Sequence, residues 1–125
     1  MIDQLFPILN VADVGRSLEF WRDTLGGTIA FEWPGPDGAP DYVGVDLGAA
    51  HLGIGSTSTA IPAGPRAIAL WLYVDDCDGY VARVRSAGFR VAEEPADQPW
   101  GERVARVVDP DGNEVILGQR APGRG

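Results

Sequence analysis

Cysteine is almost absent. Cys77 stands alone among 125 residues, so no disulfide can close within the chain. That usage fits a reducing compartment, and a cytoplasmic location is expected. Positive charge is also scarce: ten Lys and Arg face eighteen Asp and Glu, a net charge of −8. A nucleic-acid binder usually carries a basic patch, so no nucleic-acid partner is expected. No apolar run approaches the length of a membrane span, and no membrane partner is expected. The opening Met-Ile-Asp-Gln-Leu-Phe has no basic region leading into an apolar run, which argues against a signal peptide. No Ser-His-Asp set, P-loop or dinucleotide fingerprint occurs, so the commonest local signatures of hydrolases and nucleotide enzymes are missing.

What remains is ordinary globular composition, 45% hydrophobic and 22% charged, with 17 Gly and 10 Pro that punctuate the chain into short elements. The acidic balance keeps a protein soluble, and it also concentrates cations near the surface.

Leu5 to Val11 reads as a strand. Val14, Leu18, Trp21 and Leu25 then recur at helical steps, with Asp13 as N-cap and Gly26-Gly27 as the stop. Thr28 to Trp33, Tyr42 to Asp46 and Ala50 to Gly55 read as three strands. A polar linker rich in Pro and Gly runs from Ser56 to Arg66, between a first module (1–55) and a second (67–119). The pattern then repeats. Ala67 to Val74 is strand-like, Asp75-Asp76 caps a helix carrying Val81 and Val84, and Gly88 ends it. Phe89 to Ala92, Arg103 to Val108 and Val115 to Leu117 are strands, and residues 120–125 read as a disordered tail. Val11, Asp13, Leu18 and Trp21 match Val74, Asp76, Val81 and Val84, each pair 63 positions apart. Two β-α-β-β-β modules are predicted. A sheet with a helix on one face leaves its other face uncovered, so the modules are expected to pair, within or between chains, around a groove.

The last two strands form a hairpin on Asp109-Pro110-Asp111-Gly112-Asn113. Pro110 presets φ there, and Asp111, Gly112 and Asn113 tolerate the left-handed region. Gln98-Pro99-Trp100-Gly101 precedes this hairpin and presents one Trp outside any apolar stripe.

Val11-Ala-Asp13-Val-Gly-Arg-Ser17-Leu-Glu-Phe20-Trp21, Val74-Asp75-Asp76 and the Asp109 to Asn113 turn resemble motifs of the vicinal oxygen chelate superfamily. That superfamily groups glyoxalase I, extradiol dioxygenases, fosfomycin-resistance enzymes and bleomycin-resistance proteins. The resemblance spans about residues 3 to 119 and implies an α+β fold of paired modules with curved mixed sheets. Its metalloenzymes hold a divalent ion with His and Glu on four strands. The motifs place those positions at Phe6, Gly53, Ala69 and Ile116, none of which is a ligand. A slip of register brings in only His51 or Glu114, which alternation is expected to send to the other face. No metal and no cofactor are therefore expected.

Phe6-Pro-Ile-Leu9, Leu18-Glu-Phe-Trp21, Ala69-Leu-Trp-Leu-Tyr-Val74 and Gln98-Pro-Trp-Gly101 are similar to segments of the bleomycin-binding branch. Pro34 to Pro40 and Ser56 to Arg66 do not match it. The resemblance implies a metal-independent homodimer that sequesters a small aromatic or cationic ligand, such as a bleomycin-like antibiotic. The alternative is an enzyme of the same superfamily acting on a small hydrophobic substrate with no metal or a non-standard one. A ligand-sensing module is a third reading.

Trp100 is then a stacking residue for the ligand's flat part, or a residue that packs over the domain edge. Trp71 and Tyr73 share a strand face with Ala69, where Trp71 lines the groove or is a plain core aromatic, and Tyr73 and Phe6 are candidate ligand-binding residues too. Phe31 and Trp33 share a face too, suited either to the groove or to dimer packing. Glu102 and Asp46 offer negative charge to a cation, or sit at solvated strand edges. Trp21 is expected in the core, and His51 at the surface. Cys77 opens a helix, where a thiolate can be stabilised, but no general base stands beside it.

Overall fold

A computed structural model describes residues 4–57 and 68–121. The chain divides into two compact units, Met1–Pro62 and Ala63–Gly125. Of the expected linker, Ser56 closes a strand, and residues 58–66 lie outside the described residues.

The first unit runs β1 (Ile8–Val11), α1 (Val14–Leu18), a π-helical segment (Glu19–Thr24), β2 (Thr28–Pro34), β3 (Pro40–Leu47) and β4 (Ala50–Ser56). The second runs β5 (Ala69–Tyr73), α2 (Cys77–Ser86), β6 (Arg90–Asp97), β7 (Arg103–Val108) and β8 (Glu114–Gln119). The sheet orders are β1-β4-β3-β2 and β5-β8-β7-β6, so the two units share one topology. In each, the first strand pairs parallel to the last, and the other pairings are antiparallel. The fold is α+β, two four-stranded mixed sheets, as the sequence predicts.

The caps repeat as well. Asp13 accepts the Arg16 N–H at 3.0 Å, and Asp76 accepts the Gly79 N–H at 3.1 Å. Gly26 and Gly88 end the helices at φ 84° and 85°, a left-handed conformation that costs glycine nothing. Replacing Asp76 with Ala is expected to cost about 1 kcal/mol, because one orphan N–H loses its acceptor. A lower urea midpoint at unchanged slope would register it.

The first helix departs from the expected regular pattern. The Leu25 N–H bonds to Phe20 O at 3.0 Å, a five-residue step, and the Thr24 hydroxyl donates to Glu19 O at 2.7 Å. This wider turn brings Phe20 and Trp21 into the core together, both fully buried. Val11, Val43, Val45 and Ile54 of the sheet are buried to the same degree. In the second unit Val81 and Val84 of α2 are buried with Ala105, Val107, Val115 and Leu117.

Most strand limits differ from expectation by one or two residues, and those of β1, β5 and β6 are instructive. β1 starts at Ile8 rather than Leu5; Pro7 has no N–H to extend the ladder, although its carbonyl accepts from Gly53 at 2.9 Å. β5 starts at Ala69. β6 continues past Ala92 to Asp97, with its register broken between Glu93 and Ala96 around Pro95. An edge strand tolerates that proline.

The Asp109–Asn113 turn also works differently. Only Gly112 is left-handed, at φ 84°, and neither Asp111 nor Asn113 has positive φ. Order comes from the buried Asp109 carboxylate, which accepts the backbone N–H groups of Asp111 (3.0 Å) and Asn113 (2.8 Å) and the Asn113 side chain (2.9 Å).

Candidate functional site

Each sheet buries one face beneath its helix and leaves the other open. On the second unit the open face carries Ala69, Trp71 and Tyr73 of β5, Glu114, Ile116 and Gly118 of β8, and Val104 and Arg106 of β7, by register. The Trp71 indole lies across Gly118: a Cβ there would stand 2.9 Å from its ring. Tyr73 meets Trp71 edge-on at 5.8 Å. The aromatic face is thus floored by a glycine that lets a large ring lie flat.

Trp100 comes from the turn between β6 and β7. That turn is closed by the Gly101 N–H bonding to Gln98 O at 2.9 Å, and Gly101 takes φ 96°. The indole is 54% exposed, and its Nε1 donates to Glu102 Oε1 at 2.8 Å. The other oxygen, Oε2, accepts the Tyr73 hydroxyl at 3.0 Å. Glu102 is only 7% exposed, so it is not a solvated strand-edge residue. It ties the two aromatic side chains together. Arg120, expected in the disordered tail, lies with its guanidinium 4.0 Å from the Tyr73 ring centroid. Residues 122–125 lie outside the described residues. Farther along the same face, Arg106 pairs with Glu114 (2.6 Å) and Glu93 (3.2 Å). Those carboxylates raise the guanidinium pKa, chiefly through the Glu114 hydrogen bond.

The first unit's open face has two patches. Phe31 and Trp33, half or more exposed, stack at 6.4 Å, and Phe31 meets Tyr42 at 6.3 Å. The Tyr42 hydroxyl covers Gly53, where a Cβ would lie 2.4 Å from it. Phe6 packs edge-on against His51 at 5.1 Å. His51 Nδ1 lies 2.9 Å from Asp46 Oδ1, and a pocket of about 360 Å³ is lined by these three with Gln4, Gly48, Ala49 and Ala50.

The structure therefore gathers Trp71, Tyr73, Trp100 and Glu102 into one group, Phe31 with Trp33 in another, and Phe6 with Asp46 and His51 in a third. Tyr42, Arg106 and Arg120 were missed. Tyr42 had a signal, since it alternates with Gly44 and Asp46 along β3; Arg120 had none beyond its place after the last strand. His51 and Glu114 do not face the other side. Each stands two residues from Gly53 or Ile116, and a step of two keeps the face. Neither completes a metal site: among the described residues no three His, Cys, Asp or Glu side chains converge. Phe6, Gly53, Ala69 and Ile116 offer no donor, so the residues present do not fit the metal carried by the superfamily's metalloenzymes.

Cys77 is fully buried, and its thiol donates to Leu117 O at 3.5 Å. Burial, with Asp78 adding repulsion, pushes its pKa up, the opposite of an activated thiolate. A disulfide reagent at pH 8 is expected to label it slowly in the native protein and fast in urea. Equal rates in both would contradict its burial.

The sequence model of the Glyoxalase/Bleomycin resistance protein/Dioxygenase superfamily matches residues 2–117. The chain belongs to this superfamily. A curated relative, an uncharacterized protein of Mycobacterium bovis, is 27% identical over 124 residues, covering 92% of this chain and 82% of the relative. A solved structure of a protein of unknown function from Agrobacterium tumefaciens is similar at TM-score 0.77 and 26% identity, covering 95% of this chain and 94% of that one. A glyoxalase-related enzyme from Fulvimarina pelagi has the same fold, with TM-score 0.76, 18% identity and coverage of 95% and 89%. No helix of the described residues is long and apolar enough to cross a membrane.

Proposed function

We propose that this superfamily member is a metal-independent binding protein of the bleomycin-resistance kind, which sequesters a small aromatic or cationic molecule without transforming it. The observation that carries the reading is the glycine-floored aromatic group of Trp71, Tyr73 and Trp100, held in place by the buried Glu102. A flat ligand gains apolar burial and ring stacking there. The four positions that hold metal ligands in the enzymes carry Phe6, Gly53, Ala69 and Ile116, which favours binding over metal-assisted chemistry. The working unit is a homodimer. Phe31, Trp33, Trp71 and Tyr73 are all 42% or more exposed, more aromatic surface than a lone chain commonly leaves to water.

The test is titration with metal-free and copper-loaded bleomycin, followed by tryptophan fluorescence. Quenching at micromolar ligand supports the reading, and none at that concentration removes it.

A second reading rests on the pocket at Asp46 and His51. A carboxylate that orients an imidazole beside a hydrophobic ring is the usual furniture of a general base. It would make the protein an enzyme for a small hydrophobic substrate. Turnover abolished by His51→Gln, with Trp100→Ala harmless, would favour it.

A further inference from the structure

We infer that the Tyr73–Glu102 end of the aromatic group is a site for a positive charge, where the Arg120 guanidinium lies and which a ligand's cation would take over, so that the ligand is a flat aromatic cation. This rests on the binding role proposed above and narrows the ligand class.

Glu102 is nearly buried, and among the described residues it makes no ion pair. Both its oxygens instead accept hydrogen bonds from aromatic side chains, Tyr73 and Trp100. A carboxylate removed from water and bonded only to neutral donors favours a positive group nearby. The neighbouring Arg103 does not serve it. That guanidinium is held by Asp78 at 3.1 Å and Asp97 at 3.0 Å.

Donation by the Tyr73 hydroxyl to a carboxylate enriches the phenol ring in electrons, and a cation over that ring is attracted by its quadrupole. The position over the ring is where Arg120 lies, 4.0 Å from the centroid. Arg120 follows the last residue of β8 and is itself exposed, so no strand pairing fixes it. It can swing aside without disturbing the sheet. An ammonium or ring-nitrogen cation arriving with an aromatic body would take its place, with the body lying toward Trp71 and Trp100. A neutral ligand of the same shape gains the stacking but not the charge, and it has less reason to displace Arg120.

The experiment uses two dyes of one shape, N-methylacridinium and, at pH 8, neutral acridine, titrated into the full chain by fluorescence. Wild type should prefer the acridinium. Arg120→Gln removes the internal competitor, and it should raise acridinium affinity about two- to fivefold while leaving acridine within about twofold. Glu102→Gln should abolish the preference between the dyes. Weaker acridinium binding by Arg120→Gln, or equal changes for both dyes, would overturn the inference while leaving the binding role intact. Failure of both dyes to bind every variant would overturn both. A shifted far-ultraviolet circular dichroism spectrum in Glu102→Gln would mark that variant as misfolded, and Arg120→Gln, at an exposed position, then decides alone.

Discussion

Replacing Trp21 with alanine should cost about 3–5 kcal/mol, the largest loss expected from any single truncation in this chain. Trp21 is fully buried and meets Phe20 edge-on at 5.1 Å. The Trp21 carbonyl accepts the Gly27 N–H at 3.0 Å, and Gly27 packs close to β3, where a Cβ would stand 2.6 Å from Val45 Cγ1. The destabilisation includes the lost transfer energy and any void the neighbours leave unfilled. For a chain of this size the melting temperature should fall on the order of 10–20 °C. Scanning calorimetry reads it directly. A loss below about 1 kcal/mol would mean the π-helical turn does not hold Trp21 in the core.

Replacing Trp100 with alanine should cost about 1 kcal/mol of stability, through the hydrogen bond it donates to Glu102, and weaken ligand binding about tenfold, the equivalent of about 1.4 kcal/mol. The indole is more than half exposed, so little apolar burial is lost on truncation. Its stacking on a flat ligand, roughly 1 kcal/mol and more once water is excluded, is lost in full. Trp100→Phe separates two contributions. It keeps an aromatic face but removes the N–H that donates to Glu102. Affinity between those of wild type and Trp100→Ala is expected, because the ring is no longer oriented by the carboxylate. Calorimetric titration of all three proteins with the same ligand measures this. Unchanged affinity in Trp100→Ala would return the residue to an ordinary surface role.

Trp21 could be placed in the core from the sequence, because Val14, Leu18, Trp21 and Leu25 keep helical spacing. Phe20 could not, since a π-turn shifts the register by one residue and no local pattern announces it. The repeat at 63 positions anticipated both caps and the common strand order, because N-cap aspartates and terminal glycines are read from residue type alone. Trp71 and Tyr73 followed from strand alternation. The role of Glu102 did not: its burial depends on Tyr73, 29 residues away in the chain, reaching it across the sheet. Gly118 and Gly53 were invisible as ring floors for the same reason, since a flat aromatic above them is a property of the neighbouring strand. Arg120 reads from its position alone as part of a disordered tail, and a cation–aromatic contact leaves no trace in sequence.

The proposed binding role requires that the aromatic group hold a ligand without transforming it. Its most direct test is to incubate the protein with bleomycin, retain the complex by ultrafiltration, release the ligand and weigh it by mass spectrometry. Stoichiometric retention at micromolar concentration, with the ligand recovered at unchanged mass, is the result expected. No retention, or a product of altered mass that forms only with the protein present, would contradict it.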